Sequence, residues 1–334
     1  MYRKNFRNAD GIRGIACLIV LVIHSMFFFH SHTASALSGT AKYGVWLFFV
    51  LSAFLLTHHL VTDGLSRTGL WRYALSRMLR ILPLYFLAIL VYLLIGTTDL
   101  HNTRDAYLAL TMQAGYAHLW TIPVEFKFYV LLPFIVALGV KFSSPARPWM
   151  SILIFAAVAG LSACTFPYWN TPENTTTLYW YVPAFMCGAI AALAYHQYPT
   201  HISDKMRLLF VLVLAATLFV AANPVRQHFL PDTDANWLKD KFVFIGALLS
   251  LFLYLVIDAD GLTGKLLGNR LLSWIGHWSF PIYLFHWVIL VKLSQWHPGS
   301  VFWQIIGCLG SIALGALLHY LIERPTMRLR QRVA

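Results

Sequence analysis

Apolar residues run through this chain in ten long blocks, near residues 12–30, 43–61, 81–97, 122–141, 149–166, 178–195, 207–223, 241–258, 274–293 and 302–322. A helix that crosses the hydrocarbon layer takes about 20 mostly apolar residues. The pattern therefore predicts an all-α, polytopic membrane protein of about ten transmembrane helices. The fourth block carries Glu125 and Lys127, and the ninth carries Pro281. Pro83, Pro123, Pro133 and Pro183 also fall in or near blocks, which membrane helices accept when neighbours satisfy the freed carbonyls. No connection is long enough for a separate soluble domain and no repeat is evident, so residues 1–334 are expected to form a single integral-membrane domain.

The charges between the blocks add an orientation. Basic residues cluster on alternate connections: Arg3, Lys4, Arg7 and Arg13; Arg67, Arg72, Arg77 and Arg80; Lys141 and Arg147; Lys205 and Arg207; Lys265 and Arg270; and Arg324, Arg328, Arg330 and Arg332. The opposite connections hold Lys42, Arg104, Arg226, Lys239, Lys241 and Lys292, which is 6 against 18. Basic loops stay in the cytosol, so both termini are expected there. A miscounted span would scramble this alternation. The basic start followed by Ala34-Ser35-Ala36 also imitates a cleavable signal, but the apolar stretch is long for one and contains Arg13 and His24. It is expected to stay as a helix.

Composition agrees. Hydrophobic residues make up 59% of the 334, charged residues 11%, and the mean hydropathy is +0.64. Soluble domains carry roughly 25% charged residues. The net charge of +12 lies in the short orientation clusters, so nucleic acid is not an expected partner. Cys17, Cys164, Cys187 and Cys308 each lie in an apolar run without CxxC spacing and read as small buried hydrophobes. His58, His59 and His277 fall near the membrane surface as interfacial packing, and no spacing suggests a metal site.

Ionisable groups within apolar blocks cost on the order of 2.5–3.5 kcal/mol each and need a reason. Arg13 and His24 are eleven residues apart, about three helical turns and about 16 Å along the axis, and hence nearly on one face. A guanidinium at the cytosolic rim suits a phosphate or carboxylate, and an imidazole deeper in suits proton transfer from a hydroxyl. The alternatives are an orientation anchor for Arg13 and an interhelical hydrogen bond for His24. Spacing alone leaves both open.

Several blocks in order carry a resemblance. They are Asp10-Gly11 with Arg13 and His24 separated by ten intervening residues, Gly44-Val45-Trp46-Leu47-Phe48-Phe49-Val50-Leu51-Ser52-Ala53-Phe54-Leu55, and Arg77-x-x-Arg80-Ile81-x-Pro83-x-Tyr85. Trp120-Thr121-Ile122-Pro123-Val124-Glu125-Phe126-Lys127-Phe128-Tyr129, Gly276-His277-Trp278-Ser279-Phe280-Pro281-Ile282-Tyr283-Leu284-Phe285-His286 and Glu323-Arg324-Pro325 complete the set. Together they resemble the type 3 membrane acyltransferases, which O-acylate bacterial polysaccharides and lipopolysaccharide. The departures are Ala53 where glycine is usual, Phe126 and Lys127 in place of acidic and polar residues, and Pro281 in place of a small polar one.

The resemblance implies an O-acyltransferase that moves an acyl group, acetyl above all, from acyl-coenzyme A to a sugar hydroxyl of a cell-surface glycan or its lipid-linked oligosaccharide precursor. It implies His24 as general base and Arg13 as a ligand of acetyl-CoA, with Arg77, Arg80 and Tyr85 in the same donor site. Glu125 is expected to orient His24 or to bind the acceptor; neutralising Lys127 or an arginine is the bland alternative. Trp120 would stack on a sugar at the outer mouth or sit in the aromatic belt, and Tyr129 and His286 would join the acceptor site. Arg72, Arg77 and Arg80 could instead only meet lipid head groups. Glu323 is expected to pair with Arg324. The chain ends at Ala334 without the SGNH-type esterase domain of some relatives, so the membrane domain or a partner would complete transfer. Composition alone would also suit a sugar or lipid-linked glycan transporter, although paired repeats with broken helices are missing.

Overall fold

The computed structural model describes residues 6–30, 37, 39–144, 146–230 and 237–333, the last four by their backbone alone. Arg3, Lys4 and Ala34-Ser35-Ala36, used above, lie outside the described residues, as do the side chains of Arg330 and Arg332. The described residues form helices joined by turns and loops, with no strand among them. In chain order the α-helices are α1 (Ala9–Phe29), α2 (Lys42–Asp63), α3 (Arg67–Ile95), α4 (Thr103–Leu110), α5 (Thr121–Phe142), α6 (Trp149–Thr165) and α7 (Val182–Gln197). They continue with α8 (Asp204–Ala221), α9 (Asn223–Phe229), α10 (Phe242–Val256), α11 (Gly261–Leu267), α12 (Arg270–His277), α13 (Ser279–Trp296), α14 (Val301–Leu318) and α15 (Arg324–Val333).

Every apolar block falls on one of these helices, yet not every block makes a full-length crossing. Among the described residues, five helical stretches are long and apolar enough to span a bilayer: Ala9–Phe29, Lys42–Asp63, Arg67–Ile95, Ala117–Phe142 and Val301–Leu329. The number becomes 8 when each of three bent pairs is one span. The fifth and sixth blocks lie on α6 and α7, of 17 and 16 residues. At 1.5 Å per residue these reach only about 24–26 Å, short of a hydrocarbon layer of ~30 Å. Leu94, Phe134 and Leu161, 75%, 70% and 71% exposed, leave apolar side chains on the outer surface, as expected where lipid is the solvent.

The three bends have local causes. α8 and α9 meet at 67° at Ala222, whose backbone is extended (φ −63°, ψ 141°), and Pro224 just beyond it has no N–H with which to continue α8. α10 and α11 meet at 119° through a turn closed by Gly261 at φ +63°, a conformation that only glycine adopts freely. α12 and α13 meet at 75° at Trp278. This last bend matters most, because it sets α12 along α1 and turns Tyr283 and His286 of α13 into the centre of the bundle.

α1 is held at its start and along one face. The Asn8 amide donates to the Val256 and Ala259 carbonyls (2.8 and 3.0 Å). Gly11, Gly14 and Gly276 form a seam in which backbones touch: a Cβ at any of them would overlap a carbonyl oxygen, of Leu267, Leu272 and Asp10 respectively. Such close approach replaces the missing hydrophobic drive between helices in lipid. Overpacking typically costs about 1–3 kcal/mol, and here the overlapped atom is backbone. Gly276→Val is therefore expected to lower the unfolding temperature in detergent by several degrees, and an unchanged melting curve would remove the seam from the stability account. Around α1 the core is aromatic, with Trp46, Phe49, Phe54, Tyr85, Tyr92, Phe128 and Phe185 buried and the Phe128 and Phe49 rings stacked on Phe185 at 4.1 and 4.5 Å.

Candidate active site

Two cavities meet at the centre of the bundle. The first, of about 210 Å³, is lined by Arg13 of α1, Ser52 and His59 of α2, Arg77 and Arg80 of α3, and Glu125 and Tyr129 of α5. The second, of about 230 Å³, is lined by His24 of α1, Lys42 of α2, His118 and Trp120 before α5, Glu173 and Asn174 of a loop, and Trp287 of α13. Val45 and Tyr283 line both. Arg13 and His24, expected nearly on one face of α1, line two adjoining cavities, with a branched side chain from α2 and a phenol from α13 shared by both.

Helical spacing assembles the first cavity. Arg77 and Arg80 are three residues apart, and Glu125 and Tyr129 four apart, so each pair shares a face. The Tyr129 hydroxyl donates to Glu125 Oε2, and the Tyr129 carbonyl accepts from the Tyr73 hydroxyl (2.8 Å). The arginines differ in their partners. Arg13 Nη1 meets Asp10 Oδ1 at 2.8 Å, and Arg80 Nε lies 3.7 Å from Glu323 Oε1. Arg77 donates to the Ser76 hydroxyl (3.0 Å), while its buried Nε has no hydrogen-bond partner among the described residues. A buried guanidinium donor left over beside two more arginines suits an anion with several oxygens, such as a phosphate.

Glu323 corrects one expectation. It pairs with Arg80 and accepts from His319 Nδ1 (2.8 Å) instead of pairing with Arg324, whose guanidinium lies 5.7 Å from the Tyr320 ring centre. The reason is a π-helical turn over His319–Glu323, whose extra residue per turn rotates the carboxylate inward.

The second cavity is built on imidazoles. His286 Nδ1 lies 2.8 Å from the Tyr283 carbonyl and must carry the proton there, since a carbonyl only accepts. Its Nε2 then presents a lone pair, 2.9 Å from His24 Nδ1, which must be the donor. The tautomers follow in sequence: Tyr283 carbonyl, His286 as Nδ1–H, His24 as Nδ1–H. His24 Nε2 is left as an acceptor on a half-buried ring that lines the cavity. His118 Nε2 faces the Leu284 carbonyl at 3.2 Å, and its ring stacks on Trp287 at 5.1 Å. Lys42 Nζ lies 3.7 Å from Glu173 Oε1 at the same cavity.

The other expected site residues fall as follows. Trp120 lines the second cavity with its indole packed on Tyr181 (5.2 Å) and Phe49 (6.1 Å). Tyr129 belongs with the arginines, away from His24. His286 is buried behind His24. Glu125 orients neither His24 nor Lys127; His286 meets His24, and Lys127 donates to the Thr176 carbonyl at 2.9 Å. Tyr85 is buried, donates to the Ala109 carbonyl (3.1 Å) and lines neither cavity. His59, read as surface packing, lines the first cavity. Sequence reasoning passed over His118, Lys42 and the Tyr283 carbonyl; only His118, two residues before the Trp120 block, offered a signal.

The acyltransferase domain family matches residues 6–321. The chain belongs to this family of type 3 acyltransferases. It is 22% identical over 95% of its length to YrhL of Bacillus subtilis, named as a candidate peptidoglycan O-acetyltransferase, and covers 54% of that protein. It is 21% identical over 95% of its length to the O-acetyltransferase OatA of Staphylococcus aureus, covering 56%. It thus spans about half the length of the curated relatives it matches. No solved structure matches it. Its apolar helices, together with membership of this family, support a multi-pass membrane protein.

Proposed function

We propose that this protein transfers an acetyl group from acetyl-coenzyme A to a sugar hydroxyl of a cell-surface glycan, or of its lipid-linked precursor, in the inner membrane of a bacterium. The observation that carries this reading is the fixed imidazole pair, which leaves His24 Nε2 as a proton acceptor beside a cavity that adjoins three arginines. The names of the relatives, one of which specifies peptidoglycan, support O-acetyl transfer and a glycan acceptor.

In this reading Arg13, Arg77 and Arg80 bind the phosphates and the pantetheine arm of the donor, with Glu125 and Tyr129 completing the polar wall. The acceptor enters the second cavity past Lys42, Glu173 and Trp120. His24 Nε2 takes the hydroxyl proton as the oxygen attacks the thioester carbonyl. The new C–O bond replaces the C–S bond, and the imidazolium returns its proton to the coenzyme A thiolate, so the products are the ester and free thiol. His286 keeps the His24 ring in the productive tautomer and stabilises the charge it gains. The charge pattern supports both termini in the cytosol, with the arginine cavity on the donor's side.

The test is purified protein in vesicles of bacterial lipid, supplied with acetyl-coenzyme A and peptidoglycan fragments or other defined glycans. The expected result is free thiol released in step with acetyl ester on the glycan. Glycan passing through the membrane unmodified, with no thiol released, would overturn the enzymatic reading.

A further inference from the structure

The wall between the two cavities is built, and its construction bears on which acyl groups can be used. Val45 and Tyr283 are the two residues that line both cavities. The Tyr283 phenol does not swing freely: its hydroxyl donates to the His118 carbonyl at 2.6 Å and accepts from Thr121 Oγ1 at 2.9 Å. Both partners sit where the short helix Ala117–Trp120 runs into α5, so the phenol is tied to one rigid corner. The Phe48 ring lies 6.3 Å from it, edge to face, and the Val45 side chain, which lines the same two cavities, is buried. The Tyr283 backbone carbonyl also receives His286 Nδ1–H, so one residue holds both the wall and the imidazole pair.

Resting on the donor reading above, we infer that Val45 and Tyr283 form the aperture through which the acyl group reaches His24, and that its fixed width confines transfer to short acyl chains. The sulfur of the donor must stay with the pantetheine arm on the arginine side. The carbonyl carbon must stand within reach of the hydroxyl held at His24 Nε2. The acyl chain therefore lies against the valine and the phenol as the C–S bond breaks and the C–O bond forms. An acetyl group adds one methyl beyond the carbonyl, and each further methylene meets the wall. A single methylene in a closely fitting apolar site is discriminated about 10–200-fold.

The experiment measures thiol release from acetyl-, propionyl- and butyryl-coenzyme A by the full-length protein in vesicles, with one glycan acceptor. The wild-type protein is expected to use butyryl at least about tenfold less well than acetyl. Val45→Ala widens the aperture and is expected to raise the butyryl-to-acetyl ratio about tenfold. Thr121→Val keeps the side-chain shape but removes one of the two bonds on the phenol, and is expected to raise the ratio by a smaller factor. Leu55→Ala, which enlarges only the arginine cavity, is expected to leave the ratio as it was. Wild-type turnover of acetyl-coenzyme A with the same ratio in Val45→Ala would overturn the aperture and leave the donor reading standing. No thiol release from any acyl-coenzyme A by the wild-type protein would overturn the donor reading and the aperture with it.

Discussion

His24→Ala is expected to lower kcat for acetyl transfer by about 10²–10⁴-fold, the contribution of a positioned general base. KM for acetyl-coenzyme A should change little, because the imidazole belongs to the second cavity while the arginines line the first. His286→Ala separates chemistry from positioning. It removes the acceptor of the His24 Nδ1 proton and frees the ring to turn, for which a loss of up to about 10²-fold is reasonable. His286→Gln offers a side-chain carbonyl to the same proton and is expected to recover part of that loss. Rates of thiol release at saturating donor distinguish the three variants. Near-wild-type turnover of His24→Ala would remove the base from the mechanism.

Arg77→Leu carries the second large effect, this time on binding. Its Nε is a buried donor without a hydrogen-bond partner among the described residues, whereas Arg13 and Arg80 lie beside Asp10 and Glu323. A hydrogen bond to a charged group contributes about 1.5–3 kcal/mol, so removal of this one is expected to raise KM for acetyl-coenzyme A by roughly 10–150-fold. Arg77→Lys keeps the charge but loses the planar fork and should fall between. The sign of the stability change is the diagnostic part. A buried cation is costly, so without donor Arg77→Leu should melt at the same temperature as the wild type or higher. Isothermal binding of coenzyme A and a melting curve check both halves; unchanged affinity would move the phosphate site elsewhere.

Much of this was legible in the chain because membrane insertion imposes a simple grammar. Ten apolar blocks became helices, and Arg13, His24, Arg77, Arg80, Glu125, Trp120 and Tyr129 each reached one of the two central cavities. What escaped depended on atoms or geometry that residue types do not encode. The partner that sets the His286 tautomer is a backbone carbonyl, invisible in a sequence. Spacing put Arg13 and His24 on one face of α1, but the wall between them comes from α2 and α13, 21 and 259 residues after His24. Glu323 looked like the neighbour of Arg324 until a π-helical turn rotated it to Arg80. Tyr85 sat in a matching block, yet its hydroxyl serves the Ala109 carbonyl. The number of crossings is less direct, because hydropathy marks apolar runs while helix length decides reach, and α6 and α7 are apolar but short.

The seam along α1 has a consequence for how the protein comes into being. Gly11 and Gly14 press on the backbones of Leu267 and Leu272, and His24 meets a histidine 262 positions downstream. α1 is thus completed by helices made more than two hundred residues after it. During synthesis α1 must wait in lipid, with its imidazole unpartnered, while more than two hundred residues are threaded in after it. A nascent chain stalled before α13 would hold the arginines of α1 and α3 but leave the His24 ring without the partner that fixes its tautomer, so on the proposed mechanism transfer waits for α13.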